Sequence, residues 1–276
     1  MAAAADAVIL DLEDAVAPDN KDAARRFAAE ALNGRERSRV GVRVNAIETP
    51  WYLADLIAIA PAKPAFIMLP KCGGAADIVR LAQQLDLLEA QSGIAMGSIG
   101  ILPLVTESAA AVLRCEFAGA SPRLIGLCFA AEDLSTDLGI APRSPAGRYP
   151  APLLLARASV LLAATAAGVP AIDTPYPVPA DLDGLRRESM DALADGLRQA
   201  LHPSRPDRDR ERGIFAERQR DRLGSQDRGG LRCGPGQRCY LARRQDGRQA
   251  ASSARAPVAA PRRAASGGRV RGRKRA

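Results

Sequence analysis

Short apolar runs alternate with longer stretches of helical periodicity through the first 196 residues. The runs are 7–12, 40–44, 65–69, 99–105, 124–129 and 169–172. Each is bounded by Pro, Gly or charge, which suits strands buried on both faces. Between them, residues 21–32, 51–60, 75–91, 108–117 and 151–167 repeat apolar positions every three to four residues, which predicts helices. Six strand–helix units in series imply a parallel sheet with helices outside it. Repeated right-handed crossovers then leave two architectures, a doubly wound sheet or a closed barrel.

The polar residues ending these runs favour the barrel. The first run leads to Asp11, Glu13 and Asp14, the second to Arg43 and Asn45, the third to Lys71 and the fourth to Glu107. The fifth reaches Glu132 and Asp133, and the sixth Asp173. Ionisable groups at successive strand ends are what a (β/α)8 TIM-type barrel needs, because its chemistry sits at that rim. A doubly wound sheet would gather them at one switch point. No Gly-rich dinucleotide or P-loop fingerprint follows a strand, and Gly73-Gly74 reads as a plain turn.

Composition divides the chain. Residues 1–196 carry 17 basic and 24 acidic side chains, and residues 197–276 carry 22 and 7. The overall charge of +8 is therefore an average over two unlike parts. The expected domains are a partial TIM-barrel domain over 1–196 and an Arg-rich, disordered tail over 197–276. No apolar run is long enough to span a bilayer, and the start lacks the basic and apolar regions of a signal peptide. Five cysteines without a C-x-x-C pair read as free thiols. A cytoplasmic location is expected.

The only histidine, His202, lies outside the patterned region, so chemistry there falls to carboxylates, an arginine and a lysine. Glu107 and Asp133 end consecutive strands, about 4.8 Å apart in a parallel sheet. Two such carboxylates repel unless a cation sits between them, and Mg2+ takes one or two carboxylates while keeping places for water and substrate. The alternative is that each caps a helix or pairs with an arginine. Arg43 points to the same rim and can grip a substrate carboxylate, or pair with Asp11, Glu13 and Asp14 as supporting residues. Lys71 can balance charge and bind substrate, form a Schiff base, or stay solvated.

The segments DAVILDLEDAVAPDNKDAAR, VRVNAIETPWYLADL, FIMLPK, ILPLVTES, LIGLCFAAEDLSTDLG and ASVLLAATAAGVPAIDTPY span residues 6–176 almost without a break. Together they resemble the HpcH/HpaI aldolase and citrate lyase β-subunit family. The resemblance implies a (β/α)8 barrel that binds Mg2+ and cleaves carbon–carbon bonds in citryl- or malyl-type thioesters of CoA or an acyl-carrier protein. It implies that Arg43 and Glu107 contact substrate and act in catalysis, that Glu107 and Asp133 hold the metal, and that intact relatives are homo-oligomers. A Schiff-base or pyruvate-type aldolase on the same barrel is the alternative enzyme.

Two family strands have no counterpart here. Only strands two to seven are recognisable, so the barrel is expected to be incomplete, lacking its first and eighth staves. Back-translated and read one base later, residues 197–210 can give Phe-Ala-Arg-Leu-Cys-Ile-His-Pro-Ala-Gln-Ile-Ala-Ile-Val, which resembles the family's eighth strand. The tail is therefore read as the product of a frameshift near Gly196. Two exposed sheet edges would leave the chain poorly folded and impaired as a lyase. Its arginines would bind polyanions only incidentally, with no specific nucleic acid or membrane partner. On that reading the chain is a non-functional gene product.

Overall fold

The computed structural model describes residues 7–33, 40–178 and 180–198, together with the backbone of 200–201 and 239–242. The chain divides into two units, Met1–Arg244 and Gln245–Ala276, and every described residue belongs to the first. The fold is α/β with a parallel sheet. Strands β1 (Ala7–Asp11), β2 (Val40–Arg43), β3 (Phe66–Leu69) and β4 (Gly100–Pro103) pair in parallel in that order. Isolated bridges Ile101–Leu124 and Leu104–Cys128 continue from β4 towards β5 (Leu127–Cys128). Strand β5 pairs in parallel with β6 (Ala171–Ile172), which bridges to Arg198.

Side chains alternate between the two faces of each strand. Leu10, Val40, Val42, Ile67, Leu69, Ile101 and Leu127 join a large core with the helices. Helix α1 (Lys21–Leu32) brings Ala24, Ala28 and Leu32 to it, and α3 (Ala75–Gln91) brings Ile78, Leu81 and Leu85. The alternate positions Ile9, Phe66, Met68, Leu102, Cys128 and Ile172 form a second, smaller cluster. There a Cβ on Gly41 would lie 2.2 Å from the Phe66 ring, so β2 gives up a side chain to make room for its neighbour.

Several elements differ from the sequence expectations. Helices α5 (Ala131–Leu138) and α7 (Leu182–Ala194) were not foreseen. The helix expected over 108–117 is only α4 (Ala109–Val112). Ser108 caps it by accepting from the Ala111 N–H, and buried Phe117 then pulls the chain back into the core. Helices α2 (Tyr52–Ile59) and α6 (Ala151–Ala167) match their periodicity. Among the described residues no helix is long and apolar enough to cross a membrane, and Cys72, Cys115 and Cys128 are free thiols.

The expected gap between the first and last family-like strands is occupied, which corrects the expectation of two bare edges. Strand β8 (Cys239–Ala242) lies antiparallel to β1, and β7 (Ala200–Leu201) pairs with its other side. The six strands β4, β3, β2, β1, β8 and β7 thus form one sheet, and β5 and β6 a second. An unpaired edge presents a row of N–H and C=O groups, and the apolar segment Cys-Tyr-Leu-Ala can satisfy it in any sequence context. The rest of the tail, with its expected disorder, falls outside the described residues.

Helix α6 ends at Gly168, whose φ of 72° is left-handed, and a Cβ there would meet nothing within 4 Å. Gly168→Ala should therefore cost only the backbone strain, about 1 kcal/mol, in a denaturant melt. A larger loss would mean that the end of α6 is packed more tightly than this.

Candidate functional site

Asp11 ends β1, fully buried and in register with Arg43 on β2. Arg43 Nε donates to Asp11 Oδ1 at 2.8 Å and Nη2 to Oδ2 at 2.6 Å, a bidentate grip. Its Nη1 lies 3.0 Å from Glu13 Oε2 and 3.9 Å from Asp14 Oδ2. The ion-pair alternative for Arg43 is thus realised, and all three acidic residues of the first strand end gather on it. Asp11 also accepts from the Glu13 and Ala15 N–H groups, folding the loop back over the strand end.

Beneath this loop lies a group that the sequence did not single out. Lys21 opens α1 yet is only 5% exposed. Its Nζ donates to the carbonyls of Leu12 (2.7 Å) and Glu13 (2.8 Å) and to Asn45 Oδ1 (2.7 Å). Asn45 Nδ2 donates to Asp55 Oδ2 at 2.6 Å, and Asp55 Oδ1 accepts from Arg25 Nε at 2.7 Å. A buried polar network with every member satisfied rigidifies what it carries, here the Glu13 loop. One signal was available: Lys21 and Arg25 are four residues apart, on the same helix face as Ala28 and Leu32.

Lys71 follows β3 with a φ of 51°. Its main-chain N–H donates to Glu107 Oε2, and its ammonium donates to Glu13 Oε1. Burial lowers the ammonium's pKa, but the hydrogen bond and charge of Glu13 more than offset this and hold it above the usual value. A Schiff base needs a neutral amine, so charge balance is the role this setting favours.

Glu107 follows β4 by four residues at 7% exposed, and its Oε1 is buried with no hydrogen-bond partner. Burial is the chief reason its carboxyl is pushed up to about 8. The charges of Asp133 and Glu13 raise it further, against the Lys71 N–H. Asp133 stands exposed in the first turn of α5. Thr106 Oγ1 accepts from the Ala130 N–H at 2.9 Å, fastening the start of α5 beside the end of β4. Asp173, at the sixth strand end, goes elsewhere: it pairs with Arg157 of α6 at 2.8 Å. Glu132 pairs with Arg143 at 2.8 Å.

The acidic side chains at this rim outnumber Arg43, Lys71 and the underlying Lys21. Among the described residues no three His, Cys, Asp or Glu side chains form a metal cage. Glu107 and Asp133 alone suit a cation that asks for few carboxylates and keeps its waters. Glu107 Oε1, buried and without a hydrogen-bond partner, has a free lone pair that could ligate such an ion.

The profile of the HpcH/HpaI aldolase/citrate lyase family matches residues 1–203. The chain belongs to this family. Among its HpcH/HpaI relatives is the citrate lyase subunit beta of Escherichia coli K12, 38% identical over 175 residues. That match covers 62% of this chain and 56% of the relative, so the chain spans little more than half of that protein. The L-malyl-CoA/beta-methylmalyl-CoA lyase of Cereibacter sphaeroides is 31% identical over 223 residues, covering 73% of this chain and 70% of the lyase. The HpcH/HpaI fold is also seen in protein CitE from Mycobacterium tuberculosis, crystallised with magnesium, acetoacetate and coenzyme A. It superposes with a TM-score of 0.59 at 34% identity, covering 71% of this chain and 67% of CitE.

Proposed function

We propose that the two sheets close into a (β/α)8 barrel and that its rim is the active site of a magnesium-dependent carbon–carbon lyase. The substrate is a citryl- or malyl-type acyl thioester, on CoA or an acyl-carrier protein. The observation that carries this is Glu107, a buried carboxylate with one oxygen unpartnered and Asp133 close enough to raise its pKa. The relatives' activities and the magnesium and coenzyme A bound by CitE support it.

Glu107 and Asp133 hold the ion, which when bound supplies a Lewis acid for the substrate's hydroxyl and carboxylate. Arg43 holds Asp11 with two nitrogens and offers Nη1 to a substrate carboxylate in place of Glu13. Lys71 balances the charge of Glu13 and binds substrate from the rim. Cleavage leaves negative charge on the thioester fragment, and the cationic groups of the rim stabilise it. The family match ends at residue 203, and most of the tail lies beyond it, so turnover is impaired relative to intact relatives. Domain 1–196 carries the site, and 197–276 is a tail translated out of frame.

Magnesium titration followed by thermal unfolding tests the metal site without requiring turnover. A ligand that binds only the folded state stabilises it by about 2.7 kcal/mol at a hundred times its Kd. The melting temperature should therefore rise with Mg2+ and fall back with EDTA. Malyl-CoA and citryl-CoA cleavage, measured as the 2-oxo acid released alongside acetyl-CoA, should follow the same Mg2+ dependence. A melting temperature indifferent to Mg2+ would overturn the metal assignment.

A further inference from the structure

We propose that the left-handed turn at Lys71 prepares Glu107 for a cation, so that this residue serves the metal through its main chain and not through its ammonium. The inference rests on the metal reading above. Lys63 and Lys71 are the non-glycine residues with positive φ among those described. Lys63 is an exposed cap after a 3-10 turn, where such a conformation is ordinary. Lys71 adopts it at a strand end facing the site. A side chain there is held against its own preference, which happens when the surroundings over-determine the backbone.

What holds it is visible on both sides. The next residue, Cys72, donates its N–H to the Leu104 carbonyl at 3.3 Å, fixing the turn to the chain just after β4. The turn then aims the Lys71 N–H at Glu107 Oε2. One oxygen of that carboxylate is engaged, which sets its rotation. The other, Oε1, is left buried and unpartnered. The Lys71 ammonium meanwhile turns to Glu13, leaving no cation of this residue on Oε1. A backbone in the extended or right-handed region would carry the N–H elsewhere, and Glu107 would lose its orientation.

Three substitutions in the full chain separate main chain from side chain, with Mg2+ alone as the probe and calorimetric Kd as the readout. Lys71→Gly relieves the strain and keeps the N–H. Lys71→Met removes the charge and leaves the conformational cost much as it was. Lys71→Val removes the charge and resists positive φ. The glycine and methionine variants should bind Mg2+ within about threefold of the wild type or more tightly, since a nearby positive charge is gone. The valine variant should bind roughly tenfold more weakly than the methionine one. Equal affinities for Val and Met would overturn the inference, as would a loss in Gly and Met that matches Val. If the wild type itself takes no Mg2+, the metal reading fails and the inference falls with it. Melting temperatures without metal give a second readout, in which Gly should be the most stable of the three.

Discussion

Glu107→Gln should abolish magnesium binding and lower any lyase turnover by at least about 100-fold. The variant keeps the shape of the side chain and an oxygen for the Lys71 N–H, and removes only the charge. Glu107 titrates at about 8 in the fold against an ordinary 4.5, chiefly because it is buried. Between those values the folded chain holds a proton that the unfolded chain has released. Without metal, stability should therefore fall as pH rises from about 4.5 to about 8. The Gln variant should lack that slope and should be as stable as the parent or more so at pH 8. Mg2+ competes with the same proton, so its Kd for the parent should tighten by up to tenfold per pH unit below about 8, then level off. Calorimetry at pH 6, 7 and 8 reads this directly. Unchanged Mg2+ binding in the Gln variant would remove Glu107 from the site.

Arg43→Met should be the most damaging single change to the fold described here, costing about 3–5 kcal/mol. Asp11 is fully buried, and Glu13 is 5% exposed. Both would lose the guanidinium that lies between them, and whole-domain stability is only about 5–15 kcal/mol. The penalty comes from stranded charge, so neutralising the partner should recover much of it. Arg43→Met combined with Asp11→Asn is expected to be more stable than Arg43→Met alone in urea melts. Burial already raises the Glu13 carboxyl above its usual range, against the pull of Arg43. Without Arg43 it rises further, so the single variant should lose more stability at pH 7 than at pH 5. A loss below about 1 kcal/mol at pH 7 would show that water already reaches these carboxylates.

Much of this was legible in the sequence. Short continuous apolar runs located β1 to β4, which are buried on both faces, and period-3.6 patterns located the helices α1, α2, α3 and α6, each of which buries one apolar face. Polar strand ends pointed to Asp11, Glu13, Arg43, Lys71, Glu107 and Asp133, and the first five form one contact network. Asp173 obeyed the same pattern and faces the other way, since a single-residue step in a strand reverses the side chain. Helix α5 was missed because its first turn, Ala-Glu-Asp, reads equally well as a strand end. Lys21 and Asp55 were missed because periodicity treats a charge on an apolar face as noise, while the fold uses both as struts. The strained turn at Lys71 leaves no mark in residue type at all.

The seat taken by β8 separates two things that usually travel together. In a ring of parallel strands every stave delivers its carboxyl end, and the loop after it, to one rim. An antiparallel stave satisfies its neighbours' N–H and C=O groups just as well, but delivers its carboxyl end to the far side. That position is filled for the backbone and vacant for chemistry. Hydrogen-bond ladders do not ask which message a segment carries, only that it be extended and apolar enough to stay. Beside β1 the sheet is therefore widened without a further strand end being added to the rim that carries Asp11 and Arg43.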